Sequence, residues 1–201
     1  MQNYYNDSYY TARYLQPIFC KIGLHRIYHL WLAFFCIIKA ARLKKNAKVL
    51  DFGCGVGNQV WALRKLGIDA YGIDSSLSAK KHCQSPNFCR YSIDKKFPFA
   101  DGHFDLVYSH EVLEHLPPRK LKFCLQELQR VSKGCMIHMV GVKEKGPIVT
   151  EDKTHLIIED ENWWKNKFLK MGYKTKVGNL FYFFPCTFRG TKKGYFLLKT
   201  Y

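Results

Sequence analysis

The sequence predicts an α/β fold, a seven-stranded and mostly parallel sheet with an antiparallel last strand and helices on both faces. Three observations point to it. From Lys48 onward, short β-rich runs alternate with longer amphipathic ones, as they do where helices cross between parallel strands. One of those runs, Val49-Leu50-Asp51-Phe52, passes directly into the glycine-rich turn Gly53-Cys54-Gly55-Val56-Gly57. Beyond Gly141 the rhythm changes, and two aromatic runs flank a basic, Gly-bearing turn, the pattern of an antiparallel pair.

Taken in order, residues 1–45 are expected to form an N-terminal helical cap and residues 46–201 the main domain. In the cap, Ile27, Leu30, Trp31, Phe34, Phe35 and Ile38 recur at i, i+3, i+4, i+7, i+8 and i+11, one face of an α-helix. That stripe is expected to pack on the domain. The alternative, suggested by Arg42, Lys44, Lys45 and Lys48 beside it, is a helix lying on an anionic membrane surface. Strands are expected over residues 48–52, 70–73, 88–92, 104–109 and 135–140, with helices over 59–66, 77–82 and 119–131. A polar loop with Gly146 and Pro147 leads to a helix over 161–171, then to strands over 177–184 and 195–200 around Arg189-Gly190-Thr191-Lys192-Lys193-Gly194. No internal repeat competes with this order.

Composition narrows the function classes. With 201 residues, 47% of them apolar and 16% aromatic, the chain can bury one good core. The 32 Lys and Arg against 16 Asp and Glu give a formal charge of +16. This favours phosphate-bearing partners such as nucleic acid, an anionic membrane or a phosphorylated metabolite, beside the plainer meaning of a basic, soluble surface. The eight cysteines form no C-x-x-C pair and no close Cys/His cluster, which sets aside the usual zinc modules and fits a reduced, cytoplasmic protein. Residues 1–7 lack the basic start of a secretory leader, so export is not expected. The 12-residue apolar run 27–38 is shorter than the roughly 18 residues a bilayer span needs, so a transmembrane helix is not expected either.

The chemistry centres on the turn after the first strand. Glycines belong there because the backbone must turn sharply and let a ligand approach where a Cβ would intrude. A dinucleotide-binding G-x-G-x-x-G would need glycine where Asn58 stands, and Asp51 would set a carboxylate beside the pyrophosphate, where like charges repel. A cationic ligand reverses that argument. S-adenosylmethionine carries a sulfonium and an ammonium and no phosphate, so a carboxylate helps to hold it. Asp74, 17 residues beyond Gly57 at the end of the second strand, can accept ribose hydroxyl protons, and Asp94 follows the third strand.

On these residues the chain resembles the class I S-adenosylmethionine-dependent methyltransferases, the broad family with small-molecule substrates and a Rossmann-like fold. The similarity extends over residues 48–141 and includes the run from Phe97 to Val107 and then Ser109-His110-Glu111-Val112-Leu113-Glu114-His115-Leu116. It implies that Asp51, Gly53, Cys54, Gly55 and Gly57 hold the methionine part of the donor. It further implies that Asp74 with Ser75 holds the ribose, that Asp94 with Lys95 meets the adenine, and that His110 reaches the methionine part or the acceptor. In similar enzymes a Thr-His pair after the fifth strand lies near the acceptor, which matches Thr154-His155 and makes His155, with His110, a candidate general base. Trp163-Trp164 is expected to be a helix packing face, and Tyr4, Tyr5, Tyr9 and Tyr10 either a lid over the donor or packing beneath the first helix.

No metal is expected. His110 and His115 mimic H-E-x-x-H, but they stand at i and i+5, about 140° apart around a helix, so they would not face one ion. His110 is read instead as a strand-end residue and His115 as fixing the local turn. The rival enzyme is a nucleic-acid methyltransferase, suggested by the charge and by Lys165, Lys167, Lys170, Lys174, Lys176, Lys192 and Lys193. Against it, Ser109-His110-Glu111-Val112 stands where base amino-group enzymes often carry Asn-Pro-Pro-Tyr. A non-catalytic methyltransferase-like scaffold is the remaining alternative, and the intact Asp51, glycines and Asp74 argue against it.

Overall fold

The computed structural model describes residues 6–10, 24–83, 85–143, 154–178 and 193–200. A single turn of helix, α1 (Asp7–Tyr10), precedes α2 (Leu24–Trp31), which continues without a break into a π-helical stretch, Leu32–Lys39. The order is then β1 (Lys48–Phe52), α3 (Asn58–Lys65), β2 (Asp69–Asp74), α4 (Leu77–His82), β3 (Phe88–Arg90) and β4 (Leu106–His110). After a 3₁₀ turn, Leu113–His115, come α5 (Pro118–Val131), β5 (Cys135–Gly141), α6 (Glu161–Leu169), β6 (Lys174–Gly178) and β7 (Lys193–Lys199).

The strands form one sheet in the order β3-β2-β1-β4-β5-β7-β6. The first five are parallel, and β7 runs antiparallel to both of its neighbours, so the expected sheet is the one observed. Strands buried on both faces send alternate residues to opposite cores. Leu50 and Phe52 of β1, Val107 of β4 and Met136 of β5 join the core that holds Leu125 and Leu128 of α5 and Trp164 and Phe168 of α6. Val49, Leu106, Tyr108, Ile137 and Met139 join the opposite core with Leu32, Cys36, Ile37, Val60 and Leu63. Trp164 is completely buried and stacks on Phe168, so that half of the tryptophan pair is packing, as expected.

Helix α5 shows how pattern becomes structure. Pro118 opens it, where a missing N–H costs nothing, and Leu121, Cys124, Leu125, Leu128 and Val131 line one buried face. Burying each leucine side chain contributes about 2 kcal/mol. Arg130 then ties the segment before β4 to this helix. It donates to the carbonyls of Phe97 (3.1 Å) and Phe99 (2.8 Å) and to the carboxylates of Glu127 and Asp101 (both 2.7 Å).

Two expectations about the ends of the chain need correction. The apolar stripe of the cap packs only in part, with Leu30, Trp31 and Ile38 half-buried against the core. The residues buried against the domain are Leu32, Ala33, Cys36 and Ile37, whereas Ile27, Phe34 and Phe35 are 59%, 38% and 41% exposed. A stripe drawn at 3.6 residues per turn holds only in part because Leu32–Lys39 is wound as a π-helix, whose wider turn rotates successive side chains to new directions. Polar contacts add to this apolar anchoring. His29, held neutral by burial at about 4, donates from Nδ1 to Gln59 Oε1 at 2.9 Å. The second correction concerns β6, which begins at Lys174 rather than at Val177 because pairing starts opposite Lys199. The aromatic run beyond Gly178 and the basic turn before Lys193 lie outside the described residues.

Candidate active site

Because β1 leads on through α3 to β2 on one side while β4 pairs on its other side, the order of strands reverses at β1. Open α/β sheets bind ligands in the crevice at the carboxyl ends of the strands flanking such a point. The glycine-rich turn lies there, and its shape depends on missing side chains. Gly53 has φ +75°, and a Cβ on it would come within 2.4 Å of a Val112 methyl group. Its N–H and that of Cys54 both donate to the Ile73 carbonyl, at 2.8 and 3.2 Å, pinning the turn to β2. The Cys54 thiol fills the space over Gly72, where a Cβ would lie 2.6 Å from the sulfur.

The same turn meets Asp74. One carboxylate oxygen accepts the Gly55 N–H at 2.9 Å and the other the Ser76 N–H at 2.8 Å. Each oxygen keeps a further lone pair for a ligand hydroxyl. Asp51, next along β1, is buried to 3% exposure. Burial, and secondarily the Asp74 charge, pushes its carboxyl up to about 8. Asp74 is itself raised by burial, opposed by its backbone N–H donors. Two carboxylates in so dry a setting repel each other, and the arrangement relaxes when a proton or a bound cation sits between them. The site therefore suits a cationic ligand bearing a ribose and opposes a pyrophosphate. The Cys54 thiol is held well above its usual range by burial and by Asp51 and Asp74, which keeps it protonated and excludes a thiolate nucleophile.

The other expected residues are distributed around this centre. Ser75, which follows Asp74, and Lys95 are both exposed. Asp94 is exposed and ion-paired with Lys120 of α5. His110 ends β4, level with Met139 of β5, as a strand-end residue should. The chain then turns through Glu111 at φ +54° into the 3₁₀ turn. His115 reaches away from that turn to another segment, its Nδ1 lying 2.9 Å from the Thr154 hydroxyl and 3.2 Å from the Thr154 carbonyl. His155 follows directly, with its ring centroid 4.7 Å from that of His115. Asp7 of α1 pairs with Lys81 at 2.6 Å and lies 3.5 Å from His82, setting Tyr9 and Tyr10 near α4, the helix that follows Asp74. Tyr4 and Tyr5 lie outside the described residues.

Three contributors were not singled out from the sequence. Gly72 and Val112 shape the turn only through contacts that no local pattern encodes. Glu114 is the third. It is completely buried, its Oε1 accepts the Gly141 N–H at 2.6 Å, and its own carbonyl accepts the N–H groups of Leu156 and Ile157 at 2.9 and 3.0 Å. It thereby ties β5 and the His155 segment to the end of β4. The only available signal was its place beside His115.

Comparison with known proteins gives a consistent picture. Residues 50–135 match the family model described as a methyltransferase domain. The chain is 35% identical over 88 residues to the ubiquinone biosynthesis O-methyltransferase of Methylococcus capsulatus, covering 40% of this chain and 37% of that one. It is 36% identical over 99 residues to the chloroplastic tocopherol O-methyltransferase of Arabidopsis thaliana, covering 44% of this chain and 28% of that one. The matches thus span well under half the length of these curated relatives. The solved structure of an S-adenosylmethionine-dependent methyltransferase from Archaeoglobus fulgidus shares the fold at a TM-score of 0.65 and 17% identity, covering 86% of this chain and 94% of that one.

Proposed function

We propose that this chain, of which residues 50–135 match a methyltransferase domain, is a class I S-adenosylmethionine-dependent enzyme that moves a methyl group from that donor to an oxygen or nitrogen of a small-molecule acceptor. The observation that carries this reading is the buried Asp51 with Asp74 on the glycine turn. The donor supplies an electrophilic methyl group on a sulfonium. Asp51 and the backbone of Gly53, Cys54, Gly55 and Gly57 hold its methionine part, Asp74 with Ser75 its ribose, and Asp94 with Lys95 the adenine edge. The protein's main work is alignment and exclusion of water, since in-line displacement needs few catalytic groups. His110, which also borders the methionine part, and His155 are the groups available to accept a proton from the acceptor. An oxygen acceptor is favoured because the two curated relatives described above are O-methyltransferases.

Calorimetric titration with S-adenosylmethionine, with NAD as control, tests this reading. Saturable binding of the methyl donor alone is expected, weakened about 10- to 100-fold in Asp74→Ala and less in Asp74→Asn, which keeps one acceptor oxygen for the turn. Binding of NAD by a folded protein that ignores the methyl donor would refute the assignment. The nucleic-acid alternative predicts methyl incorporation into RNA or DNA and a steep salt dependence of binding.

We further infer that the protein works at an anionic membrane surface. Among the described residues no helix is long and apolar enough to cross a membrane. The exposed Ile27, Phe34 and Phe35 instead form an apolar ridge, with Lys39 Nζ at 5.1 and 5.4 Å from the centres of the two phenylalanine rings. Exposed Arg42, Lys44 and Lys45 follow it. Apolar side chains bordered by cations suit a headgroup boundary. Co-sedimentation with phosphatidylglycerol vesicles is expected to exceed that with phosphatidylcholine and to fall at least about fivefold in the Phe34→Ser/Phe35→Ser double variant. Equal partitioning of variant and parent would contradict the inference.

A further inference from the structure

We propose that Glu114, His115 and His155 form a binding site for a divalent first-row transition cation, of the zinc, cobalt or manganese kind, on the acceptor side of the crevice. The proposal rests on the methyltransferase reading and deepens it. One ligand atom from each of the three residues lies within 4.8 Å of the others. Bonds of about 2.0–2.2 Å to one ion would bring such atoms to roughly 3–3.5 Å apart, a closure that small side-chain rotations supply. Two imidazoles and a carboxylate leave coordination positions open, as in catalytic rather than structural sites.

The supporting contacts are those a metal site uses. With the proton of His115 on Nδ1, it points to the Thr154 carbonyl and hydroxyl, which leaves Nε2 as the basic nitrogen and sets the plane of the ring. Glu114 is held by the Gly141 N–H, and its carbonyl grips Leu156 and Ile157, the residues that follow His155. The room is also defined from behind. A Cβ on Gly141 would lie 2.9 Å from His155 Cε1 and 3.0 Å from Glu114 Oε1, so glycine at the end of β5 lets the two side chains approach. The sequence spacing that argued against an ion at His110 and His115 still holds for that pair. The cluster uses His115 with different partners, one of them 40 residues away.

A cation here would take the acceptor's hydroxyl oxygen as an added ligand and lower its pKa. The hydroxyl proton then passes to His110 or to water, an oxygen lone pair forms the new O–CH₃ bond, and the electrons of the breaking S–CH₃ bond remain on sulfur as a neutral thioether. In this arrangement His155 is a metal ligand and His110 keeps the role of proton acceptor.

The test is spectroscopic. Purified protein, stripped with a chelator, is titrated with Co²⁺ while the visible ligand-field bands are followed, and S-adenosylmethionine binding is measured on the same samples. One-to-one saturation is expected, weakened about 100-fold or more in His155→Ala and Glu114→Gln. Donor affinity in both variants should stay within about twofold, which also shows that they are folded, and His103→Ala should bind Co²⁺ like the parent. A parent protein that binds the methyl donor but gives no saturable Co²⁺ bands, or Co²⁺ binding unchanged in both variants, overturns the metal site and leaves the methyltransferase reading intact. Failure to bind the donor overturns that reading instead.

Discussion

Asp51→Asn is expected to weaken S-adenosylmethionine binding by about 100-fold or more while making the ligand-free protein more stable at alkaline pH. Both effects follow from the same burial. The carboxyl has an ordinary value of 3.8 and stands at about 8 in the folded chain. A group whose folded value is raised contributes no penalty below the unfolded value, a growing one as pH climbs from 3.8, and the full one above about 8. That span corresponds to on the order of 5 kcal/mol at complete ionisation. Asparagine removes it. Thermal melting should therefore show the variant and the parent close together near pH 4 and the variant ahead by pH 9. The parent's donor affinity should rise with pH up to about 8, because the bound cation must displace the Asp51 proton. At pH 7, calorimetry in buffers of differing ionisation enthalpy should report close to one proton released per donor bound. A pH-independent affinity, with no proton release, would mean that this carboxylate does not face the ligand's charge.

The second large effect concerns Gly53. A left-handed backbone costs a non-glycine residue about 1–2 kcal/mol, and the added Cβ of Gly53→Ala would also sit 2.4 Å from a Val112 methyl group. The turn must shift, and with it the N–H groups of Gly53 and Cys54 that hold it to Ile73. We expect a lower melting temperature and donor affinity reduced at least about tenfold. Combining it with Val112→Ala should restore the steric part and leave the backbone part, so the two changes should couple favourably in a double-mutant cycle. Simple additivity would show that Val112 does not close on the turn.

The parts of this molecule that could be read from the sequence are those governed by short-range rules. β1 and its turn were legible because a strand buried on both faces is written as an unbroken apolar run, and glycines mark backbone that must turn left-handed. Asp51 stood out as a carboxylate inside such a run, and helix α4 is found over the expected residues 77–82. The π-wound segment was not legible, since its hydrogen bonds span five residues while the apolar spacing was read for an ordinary helix. The Glu114 cluster escaped for a different reason. His155 reaches His115 only because β5 lies beside β4 and the segment after it folds back, a meeting created by the sheet and not by spacing.

The position of β7 also governs how the molecule can be assembled. Among the described strands it comes last in sequence, yet it is inserted between β5 and β6, with Phe196 and Leu198 buried in one core and the Tyr195 hydroxyl donating to the Cys36 carbonyl at 2.7 Å across 159 residues. As the chain emerges from a ribosome, the edge of β5 that β7 covers stays open, and β6 lacks this neighbour, until residues 193–199 have been made. Until then the nascent protein carries the hazards of an unpaired strand, adhesion to other chains above all, and a stop codon ahead of residue 193 would make that exposure permanent.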